Sequence, residues 1–143
     1  MNTVSAYFSH SIRGKKGRDA TKADMERNCA TAQKVALWIR ENVPEIDLYV
    51  PAEHEDFVYI AYTDNYLTED EILAIDCKIL AGLDFHIVHE VNGWLGGGIG
   101  VEIAAARRCG KIIFSVSSLD AITLAALRVI VKSILRAKDD GAS

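Results

Sequence analysis

The sequence predicts a single Rossmann-like α/β domain (residues 1–143), with a five-stranded parallel sheet and helices on both faces. Three observations predict it. Short segments rich in β-formers alternate with longer segments of helical periodicity, the signature of βαβ units. The helical segments carry start and stop signals: Thr21 with Asp24, Thr68 with Glu71, Pro44, Gly82 and Gly110. A chain of 143 residues, half hydrophobic and a quarter charged, suits one globular domain with its own core.

Thr3 to Ser9 alternates and reads as the first strand, followed by a loop from His10 to Arg18 carrying Arg13, Lys15, Lys16 and Arg18. Thr21 and Asp24 form a capping box for a helix whose apolar positions Met25, Cys29, Ala32, Val35, Ala36 and Ile39 recur up to Asn42, where Pro44 stops it. Ile46 to Val50 is a second strand closed by Pro51. Glu53 to Tyr66, with Phe57, Tyr59, Tyr62 and Tyr66, fits either a helix or an irregular loop. Thr68 with Glu71 opens a helix through about Ala81, and Phe85 to His89 is a third strand. A glycine-rich loop leads into a helix that runs to Cys109; Lys111 to Val116 is another strand. Leu119 to Lys138 closes the chain as a helix, with Asp139 to Ser143 expected to fray.

The formal net charge of -4 argues against binding a nucleic acid polymer, which needs a basic face. No apolar run approaches the roughly 18–20 residues of a membrane span, and the first residues lack a signal-peptide pattern. Cys29, Cys77 and Cys109 fit neither a disulfide framework nor a zinc site. They read as small core residues of a cytoplasmic protein.

The densest chemical signal is Gly96-Gly97-Gly98-Ile99-Gly100-Val101-Glu102, between a strand and a helix. Glycines let backbone approach a ligand, and a helix N-terminus offers N–H groups to an anion. Glu102, expected in the first helical turn, either touches what the loop holds or simply suits the helix dipole. Asp76 falls on the apolar stripe of Ile72, Ile75 and Ile79; an inward carboxylate is costly unless it is paired or used. Ser11-Ile12-Arg13-Gly14-Lys15-Lys16 offers hydroxyl, guanidinium and flexible backbone after a strand, which suits a phosphate or a solvated loop. His86 and His89 point to opposite faces of a strand and make no metal pair. Trp38 reads as core, whereas Trp94 in the glycine loop is placed to stack on a base or a neighbouring subunit. The phosphate-loop, dinucleotide and nucleophile-elbow patterns are absent from the sequence.

Tyr7-Phe8-Ser9-His10-Ser11-Ile12-Arg13-Gly14, Glu53-His54, Asp76 followed by Asp84, and Gly98-Ile99-Gly100-Val101-Glu102 occur in one order. That order resembles the 2′-deoxynucleoside 5′-monophosphate N-hydrolases of the nucleoside 2-deoxyribosyltransferase superfamily, from about Val4 to Phe114. The resemblance implies hydrolysis of the N-glycosidic bond of a (deoxy)nucleoside 5′-monophosphate to free base and (deoxy)ribose 5-phosphate. By the same resemblance Glu102 is the nucleophile, Asp76 the acid that helps the base depart, and Tyr7 the hydroxyl that orients the nucleophile. Ser11, Arg13 and Gly14, with backbone at Gly96 and Gly98, would hold the phosphate, and His10, Ile12 and His54 would lie near base and sugar. The family often has serine at the position of Gly96, and a small residue at that of His10. Neither metal nor cofactor is expected. A deoxyribosyltransferase, or a non-catalytic nucleotide-binding module, is the alternative on the same fold.

The last helical segment is apolar on more than one face, through Leu124, Leu127, Val129, Ile130, Val131, Ile134 and Leu135. A helix of that kind must bury its second face, which predicts a homodimer; the resemblance implies that the active sites are shared between subunits.

Overall fold

The computed structural model describes residues 2–91 and 96–142, so the expectation for Trp94 lies outside the described residues. The strands are β1 (Val4–Ser9), β2 (Ile46–Tyr49), β3 (Phe85–His89) and β4 (Ile112–Val116). The helices are α1 (Lys22–Asn42), α2 (Glu55–Thr63), α3 (Glu69–Ala81), α4 (Gly97–Arg108) and α5 (Ala121–Ala142). Short 3-10 turns at Gly14–Asp19 and Pro51–His54 precede α1 and α2.

All strand pairs are parallel, in the order β2-β1-β3-β4. The sheet has four strands among the described residues, not the expected five. The aromatic segment between β2 and β3 folds as α2, with Ala61 buried and Val58 half-buried, and β4 runs directly into α5. No further β-rich stretch remains there to make a fifth strand. The α/β class and the parallel sheet stand.

Period-two alternation divides the sheet into two faces. Val4, Ala6 and Phe8 of β1 join Phe85 and Ile87 of β3, with Val116, against Cys29, Ala32, Val35, Ala36 and Ile39 of α1 and Leu127 and Val131 of α5. Tyr7 faces the other way, with Leu80 of α3 and Ala106 of α4. Helices therefore cover both faces: α1 and α5 on one, α3 and α4 on the other. Trp38 packs on the larger core as expected.

Both capping boxes form. Thr21 Oγ1 accepts from Asp24 N at 3.1 Å while Asp24 Oδ2 accepts from Thr21 N at 2.9 Å, and Thr68 and Glu71 repeat the exchange at 3.1 and 3.0 Å. Three expectations are corrected. Helix α5 continues to Ala142, and within it Lys138 Nζ donates to Asp84 Oδ2 at 2.7 Å. Cys109 is exposed and Cys77 half-buried, so only Cys29 is a core residue; Cys109 caps the C-terminus of α4 rather than facing the sheet. Glu102 lies in the second turn of α4, because the glycines themselves are already helical from Gly97.

With strand order 2-1-3-4, the chain reverses direction across the sheet between β1 and β3. In sheets of this kind ligands bind beyond the carboxyl ends of the strands at that switch point. The β1 and β3 ends carry Ser9, His10, Val88 and His89.

Candidate active site

The second-turn position of Glu102 removes the helix-dipole explanation, since the dipole acts within the first turn, and aims the carboxylate back over the sheet. Glu102 is only 7% exposed. The Tyr7 hydroxyl donates to its Oε2, and the Ser9 hydroxyl donates to its Oε1 at 3.0 Å. Tyr7 and Ser9 are two apart on β1, so the pleat puts both on the face that α4 covers. Burial pushes the Glu102 carboxyl up to about 7; the bonds from Tyr7 and Ser9 pull it down, and nearby Asp76 pushes it further up. The Tyr7 phenol is driven well above its ordinary range, first by burial and then by Glu102 and Asp76. It therefore stays protonated and remains a donor.

Tyr7 leads to the pocket. Its ring stacks on Tyr49 at 5.6 Å between centroids, and Tyr49 stacks on His54 at 5.1 Å. Tyr49 and His54 line a pocket of about 270 Å³ with Phe57, Val58, Leu67 and Asp76, the last being the acid in an otherwise mainly apolar wall. Burial pushes Asp76 up to about 6, with His54 pulling it back. Asp76 acts electrostatically on Glu102, Tyr7 and Tyr49 alike. The expected stripe is thus real: Ile72, Ile75 and Ile79 share the pocket wall with Asp76. No cation is paired with Asp76 among the described salt bridges.

The loop after β1 is built from local bonds. Gly14 N donates to Ser11 Oγ at 3.1 Å, and Asn28 Nδ2 donates to Ile12 O at 2.8 Å. Gly14 has φ +65°, and a Cβ there would come within 3.1 Å of Asn28 Nδ2, so only glycine closes this turn without displacement. Arg13 Nη1 lies 3.3 Å from Glu69 Oε1, and its guanidinium sits 5.1 Å from the Tyr62 ring centroid. Lys16 is committed to Asp24, whose carboxyl is held down to about 2 by the Thr21 N–H and then by Lys16.

Tyr7, Glu102, Asp76 and His54 are thus brought into one connected group. Ile12 packs against the large core. His10 pairs with His89 instead, Nδ1 to Nδ1 at 2.7 Å, and burial with the His89 neighbour pushes it down to about 4. Gly96 has φ 76° and precedes α4 as its cap residue. At Gly98 a Cβ would stand 3.5 Å from Leu73 Cδ2, an ordinary contact, so the α3–α4 approach there does not itself require glycine.

Four residues of this region were assigned no role from the sequence: Ser9, Tyr49, Glu69 and His86. His86 is the register partner of Tyr7 across β1 and β3, is fully buried, and its Nε2 lies 2.6 Å from Ser9 Oγ. Two polar residues on the inward face of apolar strands were the available signal. Ser9, His86 and Glu102 are the residue types of a hydrolytic triad, but here serine rather than histidine stands between the other two, bonded to both. Among the described residues no cluster of three or more His, Cys, Asp or Glu could hold a metal ion, and no helix is long and apolar enough to cross a membrane. Comparison with protein-family models, curated proteins and solved structures gave no match.

Proposed function

We propose that this chain hydrolyses the N-glycosidic bond of a (deoxy)nucleoside 5′-monophosphate, releasing free base and sugar 5-phosphate. The observation that carries the reading is a buried glutamate gripped by two hydroxyls, with a second, pocket-lining acid close enough to perturb it. Two carboxyl groups in different environments are what glycoside cleavage requires.

In the first step a Glu102 carboxylate oxygen bonds to the anomeric carbon as the carbon–nitrogen bond breaks. The electron pair leaves with the base, which takes its proton from Asp76. In the second step Asp76, now a carboxylate, takes a proton from water as the water oxygen bonds to the anomeric carbon and Glu102 departs. Between about pH 6 and 7 the two acids together hold one proton. That proton rests mainly on Glu102, the acid with the higher value. The reaction runs through the less populated form with the proton on Asp76, which the Tyr7 and Ser9 donors make more accessible by stabilising ionised Glu102.

Arg13, Ser11 and Gly14, with the backbone at Gly96 and Gly98, form the phosphate end. The Arg13–Glu69 pair is half-exposed, so it contributes about 0–1 kcal/mol, and a doubly charged phosphate displaces Glu69 readily. The pocket of Tyr49, His54 and Phe57 takes the base by stacking. A second copy of the chain covers the outer face of α5, where Ile122 is 81% and Val129 67% exposed. Light scattering should give a dimer mass; a clean 15.7 kDa species with full activity would overturn that part.

A panel of ribo- and deoxynucleoside 5′-monophosphates, followed by chromatography for free base, tests the reaction. Base release with a matching yield of sugar 5-phosphate is expected, unchanged by an added second base. Transfer of the sugar to that base would identify a transferase, and no release from any member would refute catalysis.

A further inference from the structure

We propose that His86 is a positioning residue for Glu102: its Nε2–H turns the Ser9 hydroxyl so that this hydroxyl donates to the Glu102 carboxylate. The inference rests on the reading of Glu102 as the reacting carboxylate, and it concerns a residue that the family resemblance does not include.

Ser9 has one hydrogen to give and two neighbours within reach, His86 Nε2 at 2.6 Å and Glu102 Oε1 at 3.0 Å. What decides the direction is the far side of the imidazole. His86 Nδ1 is buried with no hydrogen-bond partner among the described residues. A buried N–H without an acceptor costs more and is rarer than a buried acceptor without a donor. The ring hydrogen therefore sits on Nε2 and is donated to Ser9 Oγ, and the Ser9 hydrogen goes to Glu102. Burial keeps the ring neutral, holding it down to about 4. The ring plane is fixed edge-on to Tyr7, 71° from it at 5.7 Å, so His86 braces both donors of Glu102.

The direction of this chain has a chemical consequence. A protonated Glu102 donating through Oε1 would turn the Ser9 hydrogen toward His86 Nε2 and force the ring hydrogen onto the partnerless Nδ1. The orphaned nitrogen therefore favours the ionised glutamate. The other groups that act on Glu102 are Tyr7 on β1 and Asp76 on α3, with Cys77 of α3 also in electrostatic range.

The test uses the full chain labelled with ¹⁵N and ¹³C, without substrate. At pH 8 the His86 nitrogens should report the Nε2–H form, with Nδ1 bare; an Nδ1–H form or a cationic ring would overturn the proposal. The Glu102 carboxyl titration should move up by about 1–2 pH units in Ser9→Ala and His86→Phe, and less in His86→Gln, which keeps a donor at the same place. An unmoved midpoint in Ser9→Ala would overturn it. The alkaline limb of base release should shift with the midpoint, since Glu102 is the acid with the higher value, whereas a loss equal at every pH would mean a purely structural role and would overturn it too. Should His86→Phe fail to fold, the wild-type tautomer and the Ser9→Ala titration decide. If wild type releases no base at all, the hydrolase reading fails while the two titrations still judge the hydrogen-bond chain.

Discussion

Tyr7 on β1 and Glu102 on α4, far apart in the chain, meet in a buried hydrogen bond in which the phenol donates to carboxylate Oε2. The bond joins the sheet to the helix that follows the glycine loop, and it fixes one oxygen of the acid on which the proposed chemistry depends. Removing the hydroxyl alone should therefore be informative. Tyr7→Phe should fold, since the ring keeps its stack on Tyr49, and should lower kcat by about 10²–10³, the usual cost of one preorganised donor. Steady-state kinetics across pH should also show the alkaline limb moving upward, because Glu102, the acid with the higher value, loses a bond that holds its proton affinity down. A variant with wild-type kcat would mean that Tyr7 is only packing.

The two acids set the expected pH dependence. Below about 6 both are protonated and Glu102 cannot attack; above about 7 both are ionised and Asp76 cannot protonate the base. The rate kcat/KM should trace a narrow bell with its maximum between those values. A plateau extending to pH 9 would exclude Asp76 as the proton donor.

Burying Glu102 should cost stability. Its carboxyl titrates near 4.5 when unfolded and near 7 when folded, mainly through burial. Such a group favours the folded state most below about pH 4.5, and that contribution is lost as pH rises through about 7. Glu102→Gln should therefore be more stable than wild type at pH 8, by about 1–3 kcal/mol, and nearly equal to it at pH 4.5. Urea titrations at the two pH values measure the difference. Lower stability of the variant at pH 8 would mean that the bonds from Tyr7 and Ser9 outweigh the burial.

Arg13 offers a separate handle on substrate choice. Arg13→Ala removes a charge-assisted contact worth about 1.5–3 kcal/mol, so KM for a monophosphate should rise by about 10- to 150-fold while free nucleosides are barely affected. Equal losses for both substrates would show that the loop does not read phosphate.

The elements were legible where local chemistry dominates. The two Thr capping boxes, Pro44 and the buried stripe of α1 mark their helices directly, and β3 was bounded to the residue as Phe85–His89. The four segments that read as strands are the four strands of the sheet, whereas the fifth was expected from the Rossmann-like class and had no segment of its own. Glu102 and Asp76 stood out as acids next to glycines and inside an apolar stripe. Ser9 and His86 did not, since each is an ordinary polar residue until the β1–β3 register puts it beside Glu102. Asp84 belongs to the same class: it reads as a motif residue, yet it accepts from Ser5 N at 2.8 Å and from Lys138 Nζ at 2.7 Å, tying β1 to α5.

The central claim is that Glu102 carries the reaction, and its most direct measurement is base release by Glu102→Gln beside wild type, on the best monophosphate of the panel. The side chains are nearly isosteric, so the fold should persist. Turnover by the variant should fall by about 10³ or more, as expected when a nucleophile is removed, with monophosphate binding retained. Turnover above about a tenth of wild type, in a folded variant, would contradict the account, because loss of a nucleophile cannot leave so small an effect.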